Sequence, residues 1–272
     1  MQRNSGSPVS LAKSFWHNRG LIKALVKRDV LGRYKGSFLG IVWSFFNPVF
    51  MLLVYTFMFS VVFKSRWPGG SESKTQFAII LFAGLMVFNL FAEVINRAPS
   101  LILANANYVK KVIFPLEILP VVALGAALFH FLISMSVWLL FYLIFLGIPP
   151  ATALLLPIIV FPLLLLTLGI TWILASLGVF LRDVGQVISI LTMALMFLSP
   201  IFYPISALPA QYQEFMVMNP MTPVVEAVRN ALIWGQAPDW MLYGAYTLIA
   251  AVIAWVGFAW FQKMRKGFAD VL

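Results

Sequence analysis

Long apolar windows alternate along the chain with short polar segments. From Phe38 no charged residue occurs until Lys64, and comparable apolar runs follow. Crossing the hydrocarbon core of a bilayer takes about 20 apolar residues. That length predicts six spans, at 38–63, 77–96, 116–146, 152–181, 184–203 and 240–261. The first and third are long enough to tilt or to project beyond the core. Glu93 and Arg97 interrupt the end of the second. Only Arg182 and Asp183 separate the fourth from the fifth, so a tight turn is expected there.

Three polar segments carry patterns of their own. Residues 11–30 are too polar to span, yet Leu11, Phe15, Ile22, Val26 and Val30 recur at near-helical spacing. Lys13, Arg19, Lys23 and Lys27 take the other faces, as in a helix lying in the membrane interface with its apolar side down. It turns into the first span through Gly32 and Gly36. The segment 97–115 reads RAPSLILANANYVKKVIFP, and Ser100 to Val109 predict a short amphipathic helix. Ser100 is its N-cap and Pro115 its stop. Such a helix either fits a groove on a soluble partner or only connects spans. In 204–239, Thr222-Pro223 is a helix start. Val224, Val225, Val228, Ala231 and Leu232 then share a face, with Glu226, Arg229 and Asn230 elsewhere. Glu226 and Arg229, three apart, can pair and lower the cost of partial burial. Too short to cross, this helix is either a re-entrant gate at the outer mouth or an interfacial surface helix.

Composition identifies the solvent. The chain is 62% hydrophobic and only 10% charged, where a soluble domain carries about a quarter charged residues. The net charge of +10 therefore reflects basic loops beside anionic lipid headgroups, and no nucleic-acid partner is expected. Lys and Arg accumulate on the cytoplasmic side of membrane proteins. With the N-terminus inside, the inner segments hold Arg3, Lys13, Arg19, Lys23, Lys27, Arg28, Arg33, Lys35, Arg97, Lys110, Lys111, Arg182, Lys263, Arg265 and Lys266. The outer segments hold only Lys64, Arg66, Lys74 and Arg229, so both termini are expected in the cytoplasm. The first apolar run is too long and starts too late for a cleavable signal.

Candidate chemistry is sparse. Nine acids and two histidines lie scattered, without paired carboxylates or metal-ligand spacing, so neither a catalytic nor a metal site is expected. With no cysteine, disulfides and thiolate metal sites are excluded. Neither internal repeats nor midplane coupling residues of a secondary transporter are evident. The dipeptide Gly-Lys never occurs, so there is no phosphate-binding loop and ATP-driven work needs a separate ATPase subunit. Asn89, Glu93 and Asn96 give the second span one polar stripe, which either lines a hydrophilic path or knits spans together. His130, alone in the third span, reads as a packed neutral histidine. Trp43, Phe46, Phe50 and Phe57 follow helical spacing down the first span beside Asn47-Pro48, and Trp138 and Tyr142 stand four apart in the third. Aromatic faces suit the C–H faces of sugar rings, but they also pack helices and anchor interfaces.

Three stretches carry a resemblance in the right order: RDVLGRYKGSFLGIVWSFFNPVFMLLVYTFMFSVVF, NYVKKVIFPLEILP and NPMTPVVEAVRNALI. Over residues 20–265 the chain resembles the permease subunit of type-2 ABC exporters, most closely the lipopolysaccharide O-antigen and teichoic-acid branch. That resemblance implies an all-α integral membrane fold. It comprises an interfacial region 1–36, a six-span domain 37–265 and a cytoplasmic tail 266–272, with a cytoplasmic coupling helix and periplasmic re-entrant gate helices. It implies that 101–112 docks on the ATPase through Leu101, Ile102, Asn105, Tyr108, Lys110 and Lys111, with Arg182 and Asp183 near a second contact. Arg28, Arg33, Tyr34 and Lys35 fall where a lipid-linked substrate approaches from the inner leaflet, and such cations suit a pyrophosphate. The gate is expected over 204–234, with Tyr203 at its edge and Pro220, Glu226 and Arg229 within it. The implied partners are a second copy, two ATPase subunits that bind ATP and Mg, the lipid-linked polysaccharide and membrane lipid, in a bacterial inner membrane. No cofactor is expected in this chain itself. An ATP-independent channel-like or scaffolding protein, and an exporter of a small lipid or drug, are the alternative readings.

Overall fold

The structure is a computed structural model that describes residues 7–62, Trp67, 74–109 and 114–272. All regular structure among them is helical: α1 (Pro8–His17), α2 (Arg19–Tyr34), α3 (Trp43–Thr56), α4 (Lys74–Arg97), α5 (Ala106–Val109), α6 (Leu119–Phe145), α7 (Leu156–Phe180), α8 (Val184–Leu198), α9 (Ala210–Met218), α10 (Thr222–Arg229), α11 (Trp240–Met264) and α12 (Phe268–Val271). Four stretches are long and apolar enough to cross a membrane: Thr75–Ser100, Leu116–Phe145, Ala151–Phe180 and Trp240–Val271. They match the second, third, fourth and sixth expected spans closely.

The other two are shorter apolar helices, Gly40–Thr56 and Val184–Leu198. The first continues as a π-helical stretch, Phe57–Val62, and so covers nearly all of its expected run. The second stops five residues early. Ser199 precedes Pro200 and is extended (ψ 150°), as the proline ring requires of its neighbour. Its 15 residues rise about 22 Å, short of a hydrocarbon core of about 30 Å.

α4 is the centre of the molecule. Every residue from Phe77 to Phe88 is buried, as a helix apolar on all sides must be. α6, α7, α10, α3 and α8 surround it. The most extensively packed helix pair is α7 with α11, which cross where Gly169 meets Gly257. A Cβ on Gly169 would lie 2.5 Å from the carbonyl oxygen of Ile253, and one on Gly257 would strike the Gly169 carbonyl. Small residues let backbones approach this closely where lipid supplies no hydrophobic drive.

The N-terminal helices pack against spans. Leu25 and Val30 are buried, and Ile22, Leu25 and Val26 meet Ile118 and Val122 at the start of α6. A Cβ on Gly125 of α6 would come within 2.7 Å of Val26, so glycine makes room for α2. Phe15 stacks on Trp172 of α7, with centroids 6.2 Å apart. The expected apolar stripe exists, broken at Asn18, and it faces protein.

Candidate functional site

A cavity of about 720 Å³ opens between α2, α3, α4 and α6. The sequence dictates its chemistry. Asn89, Glu93 and Asn96 break the apolar surface of α4 on one side, and Ser44 and Asn47 of α3 and Ser134 of α6 join them. Glu93 is its focus. Arg33 Nη2 lies 2.6 Å from Glu93 Oε1, and His130 Nδ1 lies 3.0 and 3.1 Å from the two carboxylate oxygens. Facing a carboxylate, Nδ1 carries a proton, and Nε2 lies within hydrogen-bond distance of Tyr34 OH at 3.1 Å. The 3.4 Å approach of Arg33 Nη1 to Nδ1 is then donor to donor and no hydrogen bond. His130, expected as a merely packed histidine, is instead held by an acid. Side-chain exposures of 37% for Arg33 and 23% for Glu93 leave the group accessible.

Of the residues expected at a head group, Arg33 and Tyr34 line this cavity. Arg28 turns away: its Nη1 donates to Tyr108 OH (2.6 Å) and its guanidinium lies 5.7 Å from that ring's centroid. Tyr108 in turn stacks on Phe114 at 4.2 Å. Lys35 caps α2 and is exposed.

The segment after α4 departs from the expected single helix. It forms two 3-10 turns, Ala98–Ser100 and Leu103–Asn105, and then the four-residue α5. Ser100 donates to the Arg97 carbonyl instead of capping a helix. Leu101 and Ile102 are buried and cannot form a docking surface in this conformation. The reason is packing: the segment lies on α7, where Gly178 alone leaves room for the Pro99 carbonyl. Asn105 donates to the Leu101 carbonyl (2.9 Å), while Lys110 and Lys111 fall outside the described residues. Arg182 and Asp183 are exposed on the tight turn between α7 and α8.

Two contacts nearby were not anticipated. Arg97 grips Asp29 through both Nη atoms at 2.5 Å, tying α2 to the end of α4. Burial pushes the Asp29 carboxyl up, but the Arg97 hydrogen bond and charge, with Arg33 and Arg28, outweigh it and hold it below the usual carboxylate range. Glu117, buried at the start of α6, accepts from Ser14 of α1 (2.9 Å) and from Arg265 beyond α11 (2.7 Å). Arg265 also donates to the Phe114 carbonyl, and Trp172 to the Glu117 carbonyl. The usable signal was that an acid beside an apolar run needs a partner.

At the other end of α4, Arg229 is 1% exposed. It donates to the Pro200 carbonyl, to Ile201 O (2.5 Å), to Ile80 O (3.4 Å) and to Glu226 Oε1 (3.1 Å), and lies 4.3 Å from the Trp67 ring centroid. Gly84 admits it, since a Cβ there would be 2.9 Å from Nη2. The anticipated Glu226–Arg229 pair is present, but Arg229 joins the buried face. Thr222 does not cap α10. Asn219 Oδ1 accepts from Met221 N (2.8 Å) in its place, and Thr222 Oγ1 is buried without a partner. Tyr203 donates to Phe197 O (3.2 Å), and Pro220 O accepts from Tyr246 (2.9 Å).

The aromatics divide. Trp43, Phe46 and Phe50 on α3, and Phe57 just beyond it, are each about half exposed. Trp138 and Tyr142 are not on that face. Both are buried, and Trp138 uses its N–H on the Ile79 carbonyl of α4, so their role here is packing.

Apolar membrane-length helices around a polar cavity, with no metal-binding cluster among the described residues, define a multi-span integral membrane protein. The chain belongs to the ABC-2 type transporter family, whose pattern it matches over residues 20–233. It is 28% identical over 264 residues to the O-antigen export system permease protein RfbA of Myxococcus xanthus, covering 96% of this chain and 99% of that one. The protein of the same name from Klebsiella pneumoniae is 26% identical, with 93% and 95% covered. The polysialic acid transport protein KpsM of Escherichia coli is 27% identical, with 90% and 93% covered.

Proposed function

We propose that the chain is the permease of an ATP-driven exporter that moves a lipid-linked polysaccharide of the O-antigen or capsule type outward across the inner membrane. The single observation that carries this reading beyond the family is the polar cavity. Amide and hydroxyl side chains (Asn47, Asn89, Asn96, Ser44, Ser134) suit sugar hydroxyls, and Arg33 suits an anionic head group. The relatives' names point to the same cargo.

In this reading six spans cross the membrane, the two shorter helices included, with both termini cytoplasmic. Two copies flank the path and two ATPase subunits bind ATP and Mg beneath, on the 97–115 segment and the Arg182-Asp183 turn. The cargo carries undecaprenyl pyrophosphate. Its phosphates displace the Glu93 carboxylate from Arg33, with Lys35 close by at the end of α2 and Tyr34 on the cavity wall; Arg28 joins them by leaving Tyr108. His130 keeps the freed carboxylate hydrogen-bonded. The glycan then slides along Trp43, Phe46, Phe50 and Phe57, whose faces hold sugar rings without fixed bonds to break, and leaves past α9 and α10 acting as the gate.

Purification of the tagged chain in mild detergent, with mass spectrometry of what accompanies it, tests the reading. A stoichiometric ATPase is expected, reduced when Tyr108, Asn105 or Arg182 is replaced, together with loss of surface polysaccharide in a host carrying Arg33→Glu. A monodisperse preparation without an ATPase would return the chain to the ATP-independent channel reading.

A further inference from the structure

The outward face of α1 carries a chemistry that the fold itself does not use. A shallow groove of about 650 Å³ runs beside Ala12, Lys13, Trp16, His17 and Arg19, where α1 meets α2. Trp16 is 73% exposed. Arg19 is fixed over it, with its guanidinium 4.7 Å from the ring centroid and Nη1 donating to the Trp16 carbonyl at 3.0 Å. Lys13, His17 and Arg19 are exposed, and none of them pairs with an acid among the described residues. No acid occurs in the sequence before Asp29, while Lys23 and Lys27, also exposed, continue the row from Arg19 at four-residue steps along α2.

The opposite face of α1 fixes its depth. Ser14 donates to Glu117, which lies in the first turn of the membrane-length stretch Leu116–Phe145. Phe15 stacks on Trp172, eight residues or about 12 Å inside the end of α7 at Phe180. α1 is therefore level with the span ends, where acyl chains give way to head groups, and does not hang below them in water. An indole left open at that depth is placed as the aromatic belts of membrane proteins are. The apolar stripe of the helix is taken up by protein, so its lipid contact falls to the basic face that bears Trp16.

We infer that this face is a head-group site for an anionic glycerophospholipid of the bilayer. The phosphate lies against Lys13 and Arg19, the Trp16 indole lies against the upper part of an acyl chain, and Lys23 and Lys27 raise the local concentration of such lipids. A zwitterionic lipid presents the same phosphate with a cation attached, which these side chains repel. The site does not depend on the identity of the exported cargo.

The test uses the purified full-length chain, with its ATPase where one co-purifies, in phosphatidylcholine nanodiscs. These are doped with brominated phosphatidylglycerol or, at equal fraction, with brominated phosphatidylcholine. The Trp16 contribution is the fluorescence that Trp16→Phe removes. Phosphatidylglycerol should quench it more strongly, and the excess should shrink as salt is raised. Arg19→Gln and Lys13→Gln should each lower that preference about fivefold, the equivalent of one basic residue at an anionic surface. Arg19→Lys should keep most of it. Equal quenching by the two lipids would overturn the site, as would an undiminished preference in a monodisperse Lys13→Gln/Arg19→Gln variant. So would a Trp16 component that neither brominated lipid reaches, because an ATPase or a second copy would then cover this face.

Discussion

Arg33 and Arg229 both reach α4 and both pair with a glutamate. They meet the helix at Glu93 and beside Gly84, nine residues or about 14 Å apart along its axis. Arg229 is sealed, and apart from Glu226 and the Trp67 ring its partners are backbone carbonyls of Ile80, Pro200 and Ile201. Carbonyls in packed backbone cannot turn away. Arg33 is 37% exposed and its partner is a side chain, Glu93, which can rotate and has His130 to fall back on. The difference separates an anchor from an exchangeable contact.

Breaking each contact should reveal that contrast. Arg229→Ala leaves buried carbonyls unpaired and Glu226 without its cation. A loss of about 3–5 kcal/mol is expected, read from unfolding of the purified protein in detergent. Arg229→Lys should recover only part of it, because an ammonium lacks the guanidinium fork. Gly84→Ala presses a methyl against Arg229 and Val225 and should cost about 1–3 kcal/mol in the same assay. Glu93→Gln should cost less than about 1 kcal/mol, as exposed pairs do, while altering export in cells. If it destabilises as much as Arg229→Ala, the distinction fails. Phe50→Ala, at an exposed position, should leave stability within about 0.5 kcal/mol while slowing export.

Acid adds a finer test at the Arg33 end. The Asp29 carboxyl titrates below its unfolded value of 3.8, so its pairing with Arg97 stabilises fully above about pH 4 and is lost as pH falls through the lower folded value. Asp29→Asn should therefore flatten the acid limb of a stability–pH profile and leave the neutral range parallel to wild type.

The long helices were legible in the sequence because a bilayer imposes a length, and length is local information. α6, α7 and α11 begin and end within four residues of their apolar runs. The pairings were not legible. Arg97 meets Asp29 across 68 positions, Ser14 meets Glu117 across 103 and Arg265 meets Glu117 across 148. No periodicity reports such distances. Exposure failed for a related reason: Leu101 and Ile102 look like the apolar face of a free helix until α7, with Gly178, is known to lie beneath them. Trp138 and Trp43 likewise sit in equally apolar runs, and only the neighbouring helix decides which is enclosed. Within the candidate site, Arg33, Tyr34 and the α4 stripe were found by chemistry, whereas His130 was underrated because its acid lies on another span.

The crossing of Gly169 with Gly257 also has a history in time. The two glycines are separated by 257 − 169 = 88 residues, so the notch on α7 is synthesised long before the helix that fills it. At roughly 5–20 residues per second, α7 waits about 4–18 s in the membrane with that notch open. During this interval the chain is an unfinished bundle, and a stalled ribosome or a truncation ahead of α11 would leave the notch to whatever foreign helix drifts past.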